Sequence, residues 1–173
     1  KSEGVRYKFS IHGERCTIVV DISYVWIKVK SGGIEFNNVN ISGETKNIFN
    51  ISTNTVVKLS KVNIGNEGDS SHLAVATISG GKLEANNIKI QNVTIEDKNL
   101  FTVIDCNPSA SSLLGSAGTT STGLSITSST ITYVKTTSGS VISATNSPVA
   151  LSGITLSKIL ATNALDFSNN SNV

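Results

Sequence analysis

No stretch of this chain repeats with the 3.6-residue period of an amphipathic helix, and no apolar run reaches the roughly 20 residues of a membrane-spanning helix. Charge is thin as well. The 14 basic and 12 acidic residues leave a net +2, without the dense basic stripe that nucleic-acid binding requires. Arginine occurs only at Arg6 and Arg15, and beyond residue 107 the charged side chains are Lys135, Lys158 and Asp166. The surface there must be built from Ser, Thr, Asn and Gly, a composition common on secreted repeat proteins. Methionine is absent and the chain starts at Lys1 without an obvious polar cap, which we read as a section of a longer repeat protein. Cysteine occurs twice, at Cys16 and Cys106. In the coil register derived below they lie about four coils apart, near 20 Å at the strand spacing. That exceeds the roughly 7 Å within which a disulfide's α-carbons must sit, so two thiols are expected.

What the chain does have is a phrase that returns: apolar, polar, apolar, two polar, apolar, polar, apolar. It runs over Ile34–Ile41, Val57–Ile64, Leu83–Ile90, Leu124–Ile131 (with Ser129 in one apolar place) and Val149–Leu156. The starts are 23, 26, 41 and 25 residues apart, and a fixed period of this size means stacked repeats. We read the interval of 41 as one coil carrying an insertion, because residues 105–123 are rich in Ser, Gly and Thr and have the composition of a loop. The segment Ile88–Ile95 fits the phrase too, which leaves a five-residue shift of that rung open. A second apolar element follows each phrase: Ile48–Ile51, Val75–Ile78, Leu100–Val103, Val141–Ala144 and Ala164–Phe167. Val25–Val29 holds the same place ahead of the first clear phrase.

Period-two alternation marks strands, and paired polar residues of the Asn, Gly, Ser and Thr types mark corners. Three short strands per coil give a right-handed parallel β-helix of about five to seven coils, with each strand pairing to its counterpart one coil away at about 4.8 Å. Residues 1–19 are expected to be a lead-in segment or an N-terminal coil, and 20–173 the solenoid with a loop insertion at 105–123. Stacking is obligatory. A coil costs about 1–2 kcal/mol per residue in backbone entropy, which its few inward apolar side chains, at about 1.5–3 kcal/mol each, cannot offset alone.

Aligning the coils sorts the outward side chains into columns. Glu35, Lys58, Glu84, Ser125 and Ala150 form a charge-alternating ladder on the first strand, read as surface stabilisation. Asn40, Asn63, Lys89, Thr130 and Thr155 form a hydrogen-bonding column on the second strand, which is either a solvated sheet face or a track for a linear glycan. Trp26, Ile48, Val75, Leu100, Val141 and Ala164 lie three residues before the inward positions of the third strand. They form either an outward apolar strip, and hence a partner surface, or a corner at which two consecutive side chains both turn inward. Trp26 is the expected anchor for an N-terminal cap or neighbouring domain. Leu113 and Leu114 would be the contact residues of the insertion. Asn40, Asn50, Asn92 and Asn169 open Asn-x-Ser/Thr sequons, which carry N-glycans only in a eukaryotic secretory pathway.

Catalysis has no visible seat. Polysaccharide hydrolases need two or three converging carboxylates, and lyases a calcium-holding carboxylate cluster with a basic residue beside it. Asp21, Glu35, Glu84, Asp105 and Asp166 fall in different columns, Glu67 with Asp69 and Glu96 with Asp97 lie at loop positions of separate rungs, and no Asn-Thr-Asp, Asp-Asp or Gly-His-Gly phrase occurs. His12 and Cys16 alone do not make a metal site, and His72 stands by itself. We therefore expect no catalytic residues, metal or cofactor.

The Ser-Gly-Gly turns before strands (Ser31–Ile34 and Ser79–Gly81) and the Phe-x-x-Asn at Phe167–Asn170 resemble the repeats of polymorphic membrane proteins and autotransporter passengers. That resemblance implies a surface-exposed β-helix acting as an adhesin. The expected function is a non-enzymatic extracellular or cell-surface scaffold or adhesin segment, engaging glycans or protein partners along its lateral faces and other domains of its own chain. It would neither bind nucleic acid nor insert in a membrane. The alternatives are a carbohydrate-active β-helix enzyme and a structural repeat of an extracellular filament.

Overall fold

Alternating strands broken by pairs of polar residues turn corners without a helix. The computed structural model describes residues 9–11, 16–21, 25–29, 32–45, 47–65, 70–106 and 123–169, with side chains described over 32–43, 47–65, 70–106 and 123–169. The first coil is β1 (Phe9–Ile11), β2 (Cys16–Asp21) and β3 (Val25–Val29). The second is β4 (Gly32–Asn37), β5 (Val39–Thr45) and β6 (Asn47–Ser52). In the third, β7 (Thr55–Ser60) leads to a middle strand split into β8 (Asn63–Ile64) and β9 (Ser71–Leu73), then to β10 (Ala76–Ser79). The fourth is β11 (Lys82–Asn86), β12 (Lys89–Ile95) and β13 (Phe101–Ile104), the fifth β14 (Gly123–Thr127), β15 (Thr130–Thr136) and β16 (Ser140–Thr145). The sixth is β17 (Val149–Ser152), β18 (Thr155–Leu160) and β19 (Asn163–Ser168).

These strands stack into three parallel sheets, each six rungs deep, in the orders β1-β4-β7-β11-β14-β17, β2-β5-β8-β12-β15-β18 and β3-β6-β10-β13-β16-β19, with β9 beside β5 and β12. The chain is an all-β parallel solenoid, and no helix occurs among the described residues. Its register is the register of the repeated phrase: Ile34 faces Val57, Val57 faces Leu83, Leu83 faces Leu124, and Leu124 faces Val149. The direct pairing of Leu83 with Leu124 makes the 41-residue interval one coil and removes the five-residue shift. Residues 107–122, with Leu113 and Leu114, lie outside the described residues.

The first coil is where the phrase was hard to see. Phe9 pairs with Ile34 and Ile11 with Phe36, while Cys16 pairs with Val39 and Ile18 with Ile41. The strand register of the phrase is therefore kept in the first coil, while residues 12–15 lie outside the described residues. Cys16 is accordingly three coil steps from Cys106, not four, or about 14 Å at the strand spacing, and it opens a strand of the second sheet whereas Cys106 follows the end of β13. Cys106 is a buried thiol, with Sγ accepting from the Gly80 amide at 3.3 Å.

The core is a set of aliphatic and aromatic columns. Ile51, Ile78, Val103 and Ala144 are fully buried in register on the third sheet, and Ile41, Ile64, Ile90 and Ile131 on the second. Phe49, Ala76 and Phe101 follow one another up the stack, so a small side chain separates two rings. Ser129, which takes an apolar place in the phrase, is 3 % exposed. Its hydroxyl accepts from the Ile88 amide at 3.1 Å and donates to the Thr127 carbonyl at 2.6 Å, so this buried hydroxyl is partnered both as acceptor and as donor.

The outward apolar strip does not exist where the side chains are described. Ile48, Val75, Leu100 and Val141 are each buried at 0 % exposure. The chain bends at the entry to the third strand, so Ile48 and Phe49 are both buried, as are Val75 with Ala76, Leu100 with Phe101, and Val141 with Ile142. Backbone bonds hold this bend coil to coil, with the Ile48 amide donating to the Ala74 carbonyl at 2.9 Å and the Val75 amide to the Leu100 carbonyl at 2.8 Å. Alternation alone assigns these residues outward, and the corner overrides it. Ala164, in the last described coil, is exposed, and the Trp26 side chain lies outside the described residues.

Candidate functional site: a polar groove at the first corner

Each phrase places two polar residues between its strand halves, and the second of them takes the left-handed backbone conformation. Asn38, Lys61, Asn87 and Ser128 have φ of 57°, 54°, 52° and 49°, and Gly153 continues the column at 62°. Asn and Gly enter that region at low cost, whereas Lys does so less readily. Coil-to-coil bonds hold the column: the Asn38 amide donates to the Ser60 carbonyl at 2.9 Å, Lys61 to Asn86 at 3.1 Å and Asn87 to Thr127 at 3.0 Å. With the backbone satisfied in this way, the side chains project outward.

The next residue in each coil turns into the core, and Val39, Val62 and Ile88 are buried there. The one after it points out again, giving Asn40, Asn63, Lys89 and Thr130, paired in register. Two outward columns therefore stand either side of a line of inward residues. Between them lies a groove of about 430 Å³, running across the second to fifth coils. The strand column is the one expected from the sequence, and Thr155 extends it to the sixth coil. The corner column was missed, although Asn38 and Asn87 in a repeated two-residue turn were the signal for it.

The groove is preorganised on one side, where Asn63 Nδ2 donates to Asn40 Oδ1 at 2.7 Å. Such an amide ladder costs side-chain freedom before any ligand arrives, so less is lost on binding. Among the described residues the lining carries amides, hydroxyls and two ammonium groups, and no carboxylate.

The ladder on the first sheet is also in register, Glu35 against Lys58 and Lys58 against Glu84. Glu84 accepts from Lys82 at 2.6 Å and from Lys58 at 3.3 Å. The hydrogen bond from Lys82 is the main cause that holds the Glu84 carboxyl below its ordinary range, opposed by partial burial and aided by Lys58. A depressed carboxylate pKa contributes stability that is complete above the unfolded value and is lost as pH falls through the folded one. With Glu84 a third exposed, solvent screening limits the contribution to less than about 1 kcal/mol. Glu84→Gln is expected to lower the urea midpoint slightly at neutral pH. The gap between variant and parent should close as pH falls below the ordinary carboxylate range, and a gap that widened on acidification would contradict the ion-pair account.

The remaining polar candidates do not converge. Asn50 is half-buried on the third sheet, Asn92 is half-buried at φ 51°, and Asn169 is exposed at φ 52°. Tyr133 and Lys158 stack on the second sheet, with the ammonium 4.2 Å from the ring centroid and hydrogen-bonded to the phenol. Asp97 accepts from Thr137 and Ser138 of the next coil at 3.2 and 3.1 Å. His72 is exposed, and His12 lies outside the described residues. No three His, Cys, Asp or Glu side chains among the described residues gather as a metal site. No family model, curated protein or solved structure matches the chain.

Proposed function

We propose that the chain is a non-enzymatic scaffold or adhesin segment of an extracellular or cell-surface protein, whose lateral groove at the first corner binds a linear glycan. The observation that carries this reading is the pair of outward columns flanking the groove, with hydrogen-bonding side chains repeating at every coil. A 1,4-linked sugar chain advances by a distance comparable to one coil spacing, about 4.8 Å. Successive sugars laid across the coils would therefore meet equivalent amide, ammonium and hydroxyl groups. The stacked sheets make the groove rigid, which reduces the ordering cost of binding. The resemblance to polymorphic membrane protein and autotransporter passenger repeats agrees with a surface role. Incubation with a panel of neutral and acidic polysaccharides, scored for both retention and chain length, is expected to give retention with unchanged length. Shortened products would replace this reading with a carbohydrate-active enzyme, and retention of no polysaccharide would remove the glycan from it.

A further inference from the structure

We propose that the groove selects an acidic polysaccharide, with Lys61 and Lys89 holding a carboxylate or sulfate group between them. The inference rests on the glycan reading and adds the charge of the ligand. Lys61 belongs to the corner column of the third coil and Lys89 to the strand column of the fourth. The two ammonium groups therefore rise from opposite lips of the groove on adjacent coils. Asn63 and Asn87 occupy the other two positions of this two-by-two block: Asn63 is the coil neighbour of Lys89, and Asn87 follows Lys61 in the corner column. Two cations on one diagonal and two amides on the other form a compact anion site with hydrogen-bonding groups beside it. The coils on either side supply neutral groups, Asn38 with Asn40 and Ser128 with Thr130, which suit hydroxyls of flanking sugars.

Among the described residues no carboxylate lines the groove. Lysine ammonium groups act as compact point charges without the planar fork of arginine, so carboxylate and sulfate are both suitable partners. The ion pairs are open to solvent, so they are individually weak and strongly screened by salt.

The test compares retention of the intact chain on polygalacturonate, dextran sulfate, neutral dextran and a short DNA duplex, for the parent and for a Lys61→Asn, Lys89→Gln double variant. Asparagine is chosen at 61 because Asn38 and Asn87 hold the same backbone conformation in that column. The parent is expected to be retained on at least one of the two acidic polysaccharides, the responding polymer identifying carboxylate or sulfate, and to pass neutral dextran. Retention should fall at least about tenfold in the double variant with an unchanged thermal midpoint. It should vanish near 1 M salt, where the Debye length is about 3 Å. Equal retention on neutral dextran, untouched by the substitutions, would overturn the acidic selectivity while leaving the glycan reading standing. Retention on DNA as strong as on the acidic polysaccharides would overturn the polysaccharide class. Retention on no polysaccharide would remove both readings.

Discussion

Phe101→Ala is expected to destabilise the solenoid by about 4 kcal/mol, within the range measured for removing a buried aromatic ring from a core. Phe101 is at 0 % exposure in the fourth coil. It stacks between Ala76 of the coil below and Ile142 of the coil above. Ala76 is small, so the side chain below Phe101 has little volume with which to fill the space its ring would leave. A coil in a solenoid contacts only its neighbours, so stability is close to a sum of coil and interface terms. Loss of the ring weakens both interfaces of the fourth coil at once. The urea transition of the variant should therefore move to lower denaturant and broaden, as the fifth and sixth coils begin to unfold separately from the second and third. Denaturation followed by circular dichroism checks this. A sharp transition displaced by less than about 1 kcal/mol would show that the core can collapse around the missing ring.

The second large effect is expected at Gly65. Its φ is +81°, and a β-carbon there would sit on the backbone carbonyl oxygen of Gln91 in the next coil, well inside contact distance. The Gly65 amide also donates to the Ile41 carbonyl at 2.8 Å, which ties the residue to the coil on its other side. Gly65→Ala therefore combines a left-handed backbone penalty of about 1–3 kcal/mol with forced separation of two coils at the split middle strand. Gly32 provides the control, since its φ is +84° but nothing lies within 4 Å of the position a β-carbon would take. Gly32→Ala should cost only the conformational part. The difference between the two midpoints reads the inter-coil clash directly, and equal losses at both positions would remove it from the explanation.

The two substitutions draw on different kinds of information. Phe101 was legible as a core residue because Leu100–Val103 repeats Ile48–Ile51 and Val75–Ile78, and parallel stacking puts equivalent positions in contact. Gly65 was not, since nothing in a single coil says which neighbouring carbonyl will pass beside it. The burial of Ile48, Val75, Leu100 and Val141 was similarly ambiguous. Period-two alternation is a property of straight strands, and it does not say where a bend lets two successive side chains enter the core. In the first coil the four residues between Ile11 and Cys16 hid a pattern that the strand pairing restores.

The candidate site divides along the same line. The sequence by itself determined the coil, its three strands and the column Asn40, Asn63, Lys89, Thr130 and Thr155, because inward apolar residues recurring once per coil can be buried only by stacking in that register. The tertiary structure alone decided that a second column, Asn38, Lys61, Asn87 and Ser128, stands across a groove from it. That placement depends on a left-handed turn at the first corner of the second to sixth coils and on the angle between two sheets, and both arise from packing the coils together, not from any local preference of the chain.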